Sequence, residues 1–449
     1  MNENSLTRGP VLQTLLRFSG PYLIVCFLQQ LYGMADLFVA GQYYQADIVT
    51  AVSVGSQFMH MVTAVIIGLT MGSTVMISRS VGEQNRKKTS LALGNTVTLF
   101  LGLSIVLTIV MLLLKDSILV WMSVPPEALQ ECGMYLTICF LGIPVITSYN
   151  IITCMYRGIG DSVTPAWFVF AACLINIALD FFFMGVLNWH AQGAAAATVI
   201  AQFGSVVFAL IWLKLHPLDF EVSRETLKPN KKMCSSLIGI GLPIACQDGF
   251  IQIAFLIITA IGNSRGLTDA AAIGITEKLV SFFFLVPSAL SQSLSALAGQ
   301  NVGAARYDRA YEALKDSVSI CLGYSFFFIA VSLLFGKWMV SLFIDDSAVV
   351  QQGAVYLSSY CFDMLGVSFH FNMSSYFCAF KKSMVSFVQN FLSVILFRIP
   401  LAWLASVLFP ATLLYMGMAA PAGSAFQAIF CVLYFVLHKK TFLPDQAKV

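Results

Sequence analysis

Twelve apolar windows, each near or above the roughly 20 residues a helix needs to cross the hydrocarbon core of a bilayer, follow one another along this chain of 449 residues. They lie near 18 to 40, 48 to 78, 91 to 114, 132 to 156, 162 to 187, 191 to 213, 233 to 260, 270 to 299, 317 to 336, 347 to 380, 383 to 408 and 410 to 437. The chain is 58% hydrophobic and only 10% charged, against about 25% charged in soluble domains, so a water-soluble fold is excluded. No polar stretch exceeds roughly twenty residues, which leaves no room for a soluble catalytic domain of about 100 to 150 residues. The expectation is an all-α polytopic membrane protein that is not an enzyme and does not bind nucleic acid, with the lipid bilayer as its solvent. Its first seventeen residues, polar and carrying Arg8 and Arg17, lack the short apolar core and cleavage site of a signal peptide, so the first helix is expected to be retained.

Alternate loops carry very different positive charge. Of the 25 Lys and Arg, 20 fall on the side shared by both termini, 3 on the other (Lys115, Arg265, Lys337) and 2 within spans (Lys278, Arg398). By the positive-inside rule both termini are cytoplasmic, and a missed span would have scrambled the split. The eleven cysteines say little. Most lie in apolar runs (Cys26, Cys139, Cys173, Cys378, Cys431) and none forms a CxxC pair, so they read as small buried hydrophobes without disulfides or metal.

The chain also repeats. A shift of 221 residues lays Val81-Gly82 on Val302-Gly303, Tyr135-Leu136 on Tyr356-Leu357 and Ser162 on Ser383, while a shift of 222 lays Pro21 on Pro243 and Asp47 on Asp269. Six crossings return a chain to its starting side, so the halves are expected to be parallel repeats related by an axis along the membrane normal. The expected organisation is an N-terminal lobe over 1–213, a cytoplasmic linker over 214–232 with Pro217 and Pro229, and a C-terminal lobe over 233–449, with the lobes around a central cleft.

An ionisable residue inside a span is a functional hypothesis by default, because a carboxylate at the bilayer centre costs about 2.5 to 3.5 kcal/mol. Seven occur: Asp36, Asp180, Asp248, Glu277, Lys278, Asp363 and Arg398. They do not repeat. The counterparts of Asp36 and Asp180 are Ile258 and Leu401, and those of Asp248 and Asp363 are Cys26 and Gly142. In the first half, Asn176 and Asp180 are four residues apart and share a helix face; Asp36 and Thr198 would add a second carboxylate and a hydroxyl if their faces meet it. Two carboxylates in one dry site need a proton or a metal ion such as sodium between them, which makes this the candidate cation-coupling site. A packing cluster of interhelical hydrogen bonds is the alternative. Pro21 and Gly33 lower the cost of bending the first helix and are the candidate hinge.

In the second half Asp363, Asp248 and Glu277 are the candidate substrate contacts, with Lys278 and Arg398 available to pair with a carboxylate. Intramembrane charge totals −5 against +2, which favours cationic cargo; aromatic side chains could stack on a flat organic cation. His60 and His370 have no second histidine at ligand spacing and read as core or lining residues. With no P-loop in the chain, transport would draw on an ion gradient: one charge crossing 100 mV releases about 2.3 kcal/mol, enough for roughly a fortyfold gradient.

These residues resemble the multidrug and toxic compound extrusion (MATE) transporters over the whole chain. The likeness rests on Ser78-Arg79-Ser80-Val81-Gly82-Glu83 after the second span, on Arg157-Gly158-Ile159-Gly160-Asp161 with Thr164-Pro165 before the fifth, and on Gly299-Gln300-Asn301-Val302-Gly303-Ala304 after the eighth. Pro21 fifteen residues before Asp36, the Asn176–Asp180 pair and Thr198 in place of a sixth-helix hydroxyl look like the prokaryotic DinF-like branch. The resemblance implies a monomeric antiporter of the prokaryotic plasma (inner) membrane. It would exchange H+ or Na+ for amphipathic organic cations by alternating access, without a further cofactor, and bend its first helix when the first-lobe carboxylates protonate. Asp363 resembles the tenth-helix carboxylate of the NorM-like branch, but the seventh helix carries Asp248 five residues after Pro243, and Gln252 nearer where that branch has glutamate. Coupling is therefore expected in the first lobe. A lipid-linked oligosaccharide flippase of the same superfamily is the alternative; its anionic cargo would require a basic cleft.

Overall fold

The computed structural model describes residues 6–218, 220 and 222–444. Both chain ends and two positions of the expected linker lie outside the described residues, as does the Tyr32 side chain. Among the described residues every regular element is helical.

The first half contains α1 (Val11–Tyr43), α2 (Ala46–Gly82), α3 (Arg86–Trp121), α4 (Leu129–Leu141), α5 (Ile143–Ile159), α6 (Val163–Asp180), a π turn over Phe181–Val186, and α7 (His190–Leu215). The second contains α8 (Lys231–Asn263), α9 (Leu267–Phe283), α10 (Leu285–Gly303), α11 (Tyr307–Ser341), α12 (Ser347–Tyr360), α13 (Asp363–Ala379), α14 (Ser383–Ser393), a π turn over Val394–Arg398, α15 (Ile399–Leu408), α16 (Leu414–Gly417), α17 (Ala419–Leu437) and α18 (Lys439–Phe442).

By length and apolarity nine of these stretches can each cross a bilayer, and eleven can if the bent pairs α4/α5 (47°) and α9/α10 (41°) each count as one span. The bends fall beside Pro144 and Pro287, where proline removes a helical hydrogen bond. The tenth expected window, 347 to 380, becomes α12 and α13, parted at Cys361-Phe362. It carries the buried Asp363, Ser368, His370, Asn372, Ser374 and Ser375, as befits a span surrounded by protein rather than lipid. The α4/α5 break at Gly142 stands 221 residues before Asp363, the first residue of α13.

Backbone geometry repeats as the sequence does. The left-handed residues Gln84 (φ 53°) and Ala305 (φ 57°) are 221 apart, and so are Gly160 (φ 106°) and Lys381 (φ 60°). These pairs close the second and eighth, and the fourth and tenth, spans. Three of the four are not glycine, although a side chain strains this conformation, so the turn geometry persists where residue identity does not.

The chain packs into two compact units, Gly20–Gly241 and Leu242–Val449 together with Met1–Ser19. These divisions differ from the expected lobe limits at both ends. The segment Leu6–Phe18 belongs to the second unit because Leu6, Val11, Leu15 and Phe18 bury against Leu290, Leu294, Leu297, Leu314 and Phe442. Its backbone is also gripped by side chains: Leu6 N donates to Gln300 (3.1 Å), Asn301 donates to the Leu6 carbonyl (3.2 Å), and Arg309 donates to the Gly9 carbonyl (2.7 Å). In the first unit, Asn95 on α3 donates to the Thr226 carbonyl (3.0 Å) and accepts from Asn230 N (2.6 Å). This ties the linker's distal part, and the start of α8, to that unit. Side-chain capping of loop backbone thus settled unit boundaries that apolar windows alone placed elsewhere.

Candidate functional site

The four first-unit candidates converge. Asp36 on α1, Asn176 and Asp180 on α6, and Thr198 on α7 are all buried, Asn176 and Asp180 completely. The i, i+4 spacing puts Asn176 and Asp180 on one face, and α6 packs along α7, which brings Thr198 within reach. With its amide nitrogen turned toward the carboxylates, the orientation that satisfies the network, Asn176 donates to Asp180 Oδ2 (3.2 Å) and to Asp36 Oδ1 (3.2 Å). Thr198 Oγ1 donates to Asp36 Oδ2 (3.3 Å).

Three of the four carboxylate oxygens are therefore served by three protein hydrogens. The fourth, Asp180 Oδ1, is buried and meets no donor among the described residues, while the two carboxylates lie within hydrogen-bonding reach of each other. An unserved carboxylate oxygen in a dry site carries the full desolvation cost of that group, and two negative charges in one such site demand a positive one. The cluster has the chemistry of a single-cation acceptor, open at Asp180 Oδ1. Asp180 is also the last residue before the π turn Phe181–Val186; such turns break the regular i, i−4 ladder and recur at functional positions.

The hinge candidates lie on the same helix as Asp36. Pro21 is inside α1, which continues through it. A Cβ built on Gly33 would meet nothing within 4 Å, so close packing does not require glycine there, whereas glycine in a helix interior costs about 1 kcal/mol relative to alanine.

The second-unit carboxylates are separated in environment. Asp248, on α8, is partly exposed and belongs to no ion pair among the described residues. Glu277, on α9, accepts from Thr259 Oγ1 (3.4 Å) through Oε2, while its Oε1 is buried without a partner. Lys278 points outward, exposed, and pairs with no carboxylate among the described residues. Asp363 is fully buried and meets Arg398, whose Nη2 lies 3.4 Å from Asp363 Oδ1 and donates to Ser424 Oγ at 2.8 Å; Ser424 donates in turn to Asp363 Oδ1. Tyr356 and Tyr360 sit within electrostatic reach of Glu277, Asp363 and Arg398. Of the two histidines within the expected spans, His370 is buried in α13 and His60 is exposed on α2. No group of three or more His, Cys, Asp or Glu placed to hold a metal ion occurs among the described residues.

Sequence reasoning missed Ser424, the bridge between Arg398 and Asp363, and the grip of Gln300, Asn301 and Arg309 on the amino-terminal segment. Ser424 carries one weak signal: with Gln427 it is one of the few polar residues in the apolar last span.

"Probable multidrug resistance protein YpnP" of Bacillus subtilis is 26% identical over 435 residues, covering 97% of this chain and 96% of that protein. "Multidrug export protein MepA" of Staphylococcus aureus is 25% identical over 356 residues, covering 78% and 77%. A solved structure described as the outward-facing conformation of a multidrug resistance MATE family transporter of the MOP superfamily shares the fold, with TM-score 0.91 at 19% identity and coverage of 98% and 99%. The MatE family model matches twice, over residues 21–182 and 243–404, two blocks displaced by 222 residues that begin at Pro21 and Pro243. The chain belongs to the MATE family of membrane transporters.

Proposed function

We propose that this transporter is a secondary multidrug efflux antiporter of the prokaryotic plasma membrane that exchanges one small cation for amphipathic organic cations by alternating access. Both termini are cytoplasmic, the working unit is a monomer, and no cofactor takes part beyond the coupling ion. The observation that carries the reading is the Asp36–Asn176–Asp180–Thr198 cluster, two buried carboxylates with three of four oxygens satisfied and Asp180 Oδ1 open. The names of the relatives, a multidrug resistance protein and a multidrug export protein, support drug-like cargo and do not favour the flippase reading. The DinF-like pattern supports placing coupling in the first unit.

The coupling ion is H+ or Na+: with its amide hydrogens toward both carboxylates Asn176 suits a pair that shares a proton, and with the amide turned over its oxygen would face a sodium ion. Filling Asp180 Oδ1 changes the hydrogen-bond demand on Asn176 and Asp36, and α1, with Pro21 and the unencumbered Gly33, is the helix able to respond by bending. Asp248 and Glu277, with unpaired oxygens, supply cation contact in the second unit, whereas Asp363 is engaged by Arg398.

The test is efflux of a fluorescent organic cation from membrane vesicles under an imposed pH gradient and, separately, an imposed sodium gradient. Accumulation driven by one of the two gradients, abolished by either Asp36→Asn or Asp180→Asn, is the expected result. Retained gradient-driven accumulation in both variants would refute the coupling assignment.

A further inference from the structure

The two repeats answer the same electrostatic problem differently. In the first unit a neutral amide, Asn176, bridges two carboxylates and leaves their charge to be balanced from outside. In the second, Asp363, the one fully buried carboxylate among the described residues of that unit, faces a guanidinium. The register explains the exchange. Fourteen residues separate Ser162 from Asn176, and fifteen separate Ser383 from Arg398. Between Ser383 and Arg398 lies the π turn Val394–Arg398, and a π turn, with i to i+5 bonding, takes up one extra residue. The shift therefore passes from 221 to 222 across that turn, so Arg398 stands at the place Asn176 holds in the first repeat, and Ala402, rather than the expected Leu401, at that of Asp180.

The surroundings are built for it. A Cβ on Gly423 would lie 2.6 Å from Arg398 Cγ and 2.8 Å from Ser393 Oγ, and a Cβ on Gly366 would collide with Ser424. Glycine at both positions lets α13, α17 and the π turn approach closely enough for Ser424 to touch Asp363 and Arg398 at once. Arg398 is 9% exposed and Asp363 is fully buried, so the pair forms away from bulk water, where a charge without a partner is costly.

We infer that Arg398 is a tethered counter-ion that balances the charge of Asp363, meeting its Oδ1 while Oδ2 stays buried without a partner, so that the second unit needs no soluble cation there. Arg398 is in this sense a specificity-determining residue: it does by covalent attachment what a mobile cation does at Asp36 and Asp180. The inference rests on the antiport reading only for its consequence; occupation of Asp363 is read from binding, whether or not the protein transports.

The experiment uses the purified full-length protein in detergent and follows thermal unfolding against NaCl, with N-methyl-D-glucamine chloride holding ionic strength, and against pH from about 6 to 9. Arg398→Met keeps the side-chain volume and removes the charge. Beyond the response of the first-unit site it should gain a further sodium or pH response, with apparent cation affinity raised about tenfold or more, and the double variant Arg398→Met/Asp363→Asn should lose that further response. Should Arg398→Met fail to fold, Asp363→Asn in the native background carries the test, and it should leave the native sodium response as it was. A native sodium response that Asp363→Asn weakens, or a folded Arg398→Met with no new response, would overturn the inference. Loss of coupled efflux in Asp36→Asn tests the antiport reading separately and leaves this one untouched.

Discussion

Replacing Asp180 with Asn should uncouple the transporter while leaving it folded, and possession of both outcomes is what makes the test sharp. Asp180 Oδ1 is the one carboxylate oxygen of the first-unit cluster without a partner, whereas Oδ2 accepts from Asn176 at 3.2 Å. Asparagine keeps the shape and an acceptor for that bond but carries no charge. An intramembrane carboxylate costs about 2.5 to 3.5 kcal/mol, so its neutralisation offsets the loss of any ion held there, and thermal stability in detergent should hold or rise. Coupling should fail outright. A tenfold gradient of the driving ion stores about 1.4 kcal/mol, which for one-for-one exchange of monovalent ions sustains at most about a tenfold substrate gradient. The native protein in vesicles should approach that ratio and Asp180→Asn should fall to about one, while downhill exchange persists. Accumulation in Asp180→Asn within a factor of about two of native, at equal protein, would refute the argument that this oxygen holds the coupling ion; a sharp fall in melting temperature would show that the pair is structural.

Thr198→Val removes one 3.3 Å interhelical bond to Asp36, so it should cost about 0.6 kcal/mol and at most about 1.7, seen as a small drop in melting temperature with efflux reduced but still gradient-driven. Gly423→Ala, whose new methyl would press on Arg398 and Ser393, should destabilise by about 1 to 3 kcal/mol through overpacking, measured by thermal unfolding in detergent. Arg309→Ala deletes the bonds to the Gly9 and Arg8 carbonyls and should speed tryptic cleavage after Arg8, read by mass spectrometry, with spans elsewhere protected as before. Asp248→Asn should lower efflux of some organic cations more than others, whereas equal loss for all would point to folding or coupling instead.

Much of this molecule is written in local terms. Eleven of the twelve apolar windows are long and apolar enough to cross a bilayer once each bent pair counts as one span, and the 221-residue repeat reappears as paired left-handed turns at Gln84 and Ala305, and at Gly160 and Lys381. The face shared by Asn176 and Asp180 follows from helical periodicity alone. Broken spans were less legible. A hydropathy window averages over a bend, so α4/α5, α9/α10 and α12/α13 each read as one helix, and the docking of Leu6–Phe18 with the second unit depends on Gln300, Asn301 and Arg309, almost 300 positions away.

The charges divide in the same way. Residue types and their spacing within one helix already say that the first half holds an acidic pair and that the second is chemically different. Which charges meet is another matter, because the facing of one helix toward another is set by packing, not by periodicity. Asp36 reaches Asn176 across 140 residues of chain, and Arg398 reaches Asp363 because one extra residue in a π turn and two glycines bring it there. Lys278, equally available by composition, is turned outward on α9. A one-residue change of register rotates a side chain by about 100° around its helix, and no local pattern records that rotation until the helices are packed.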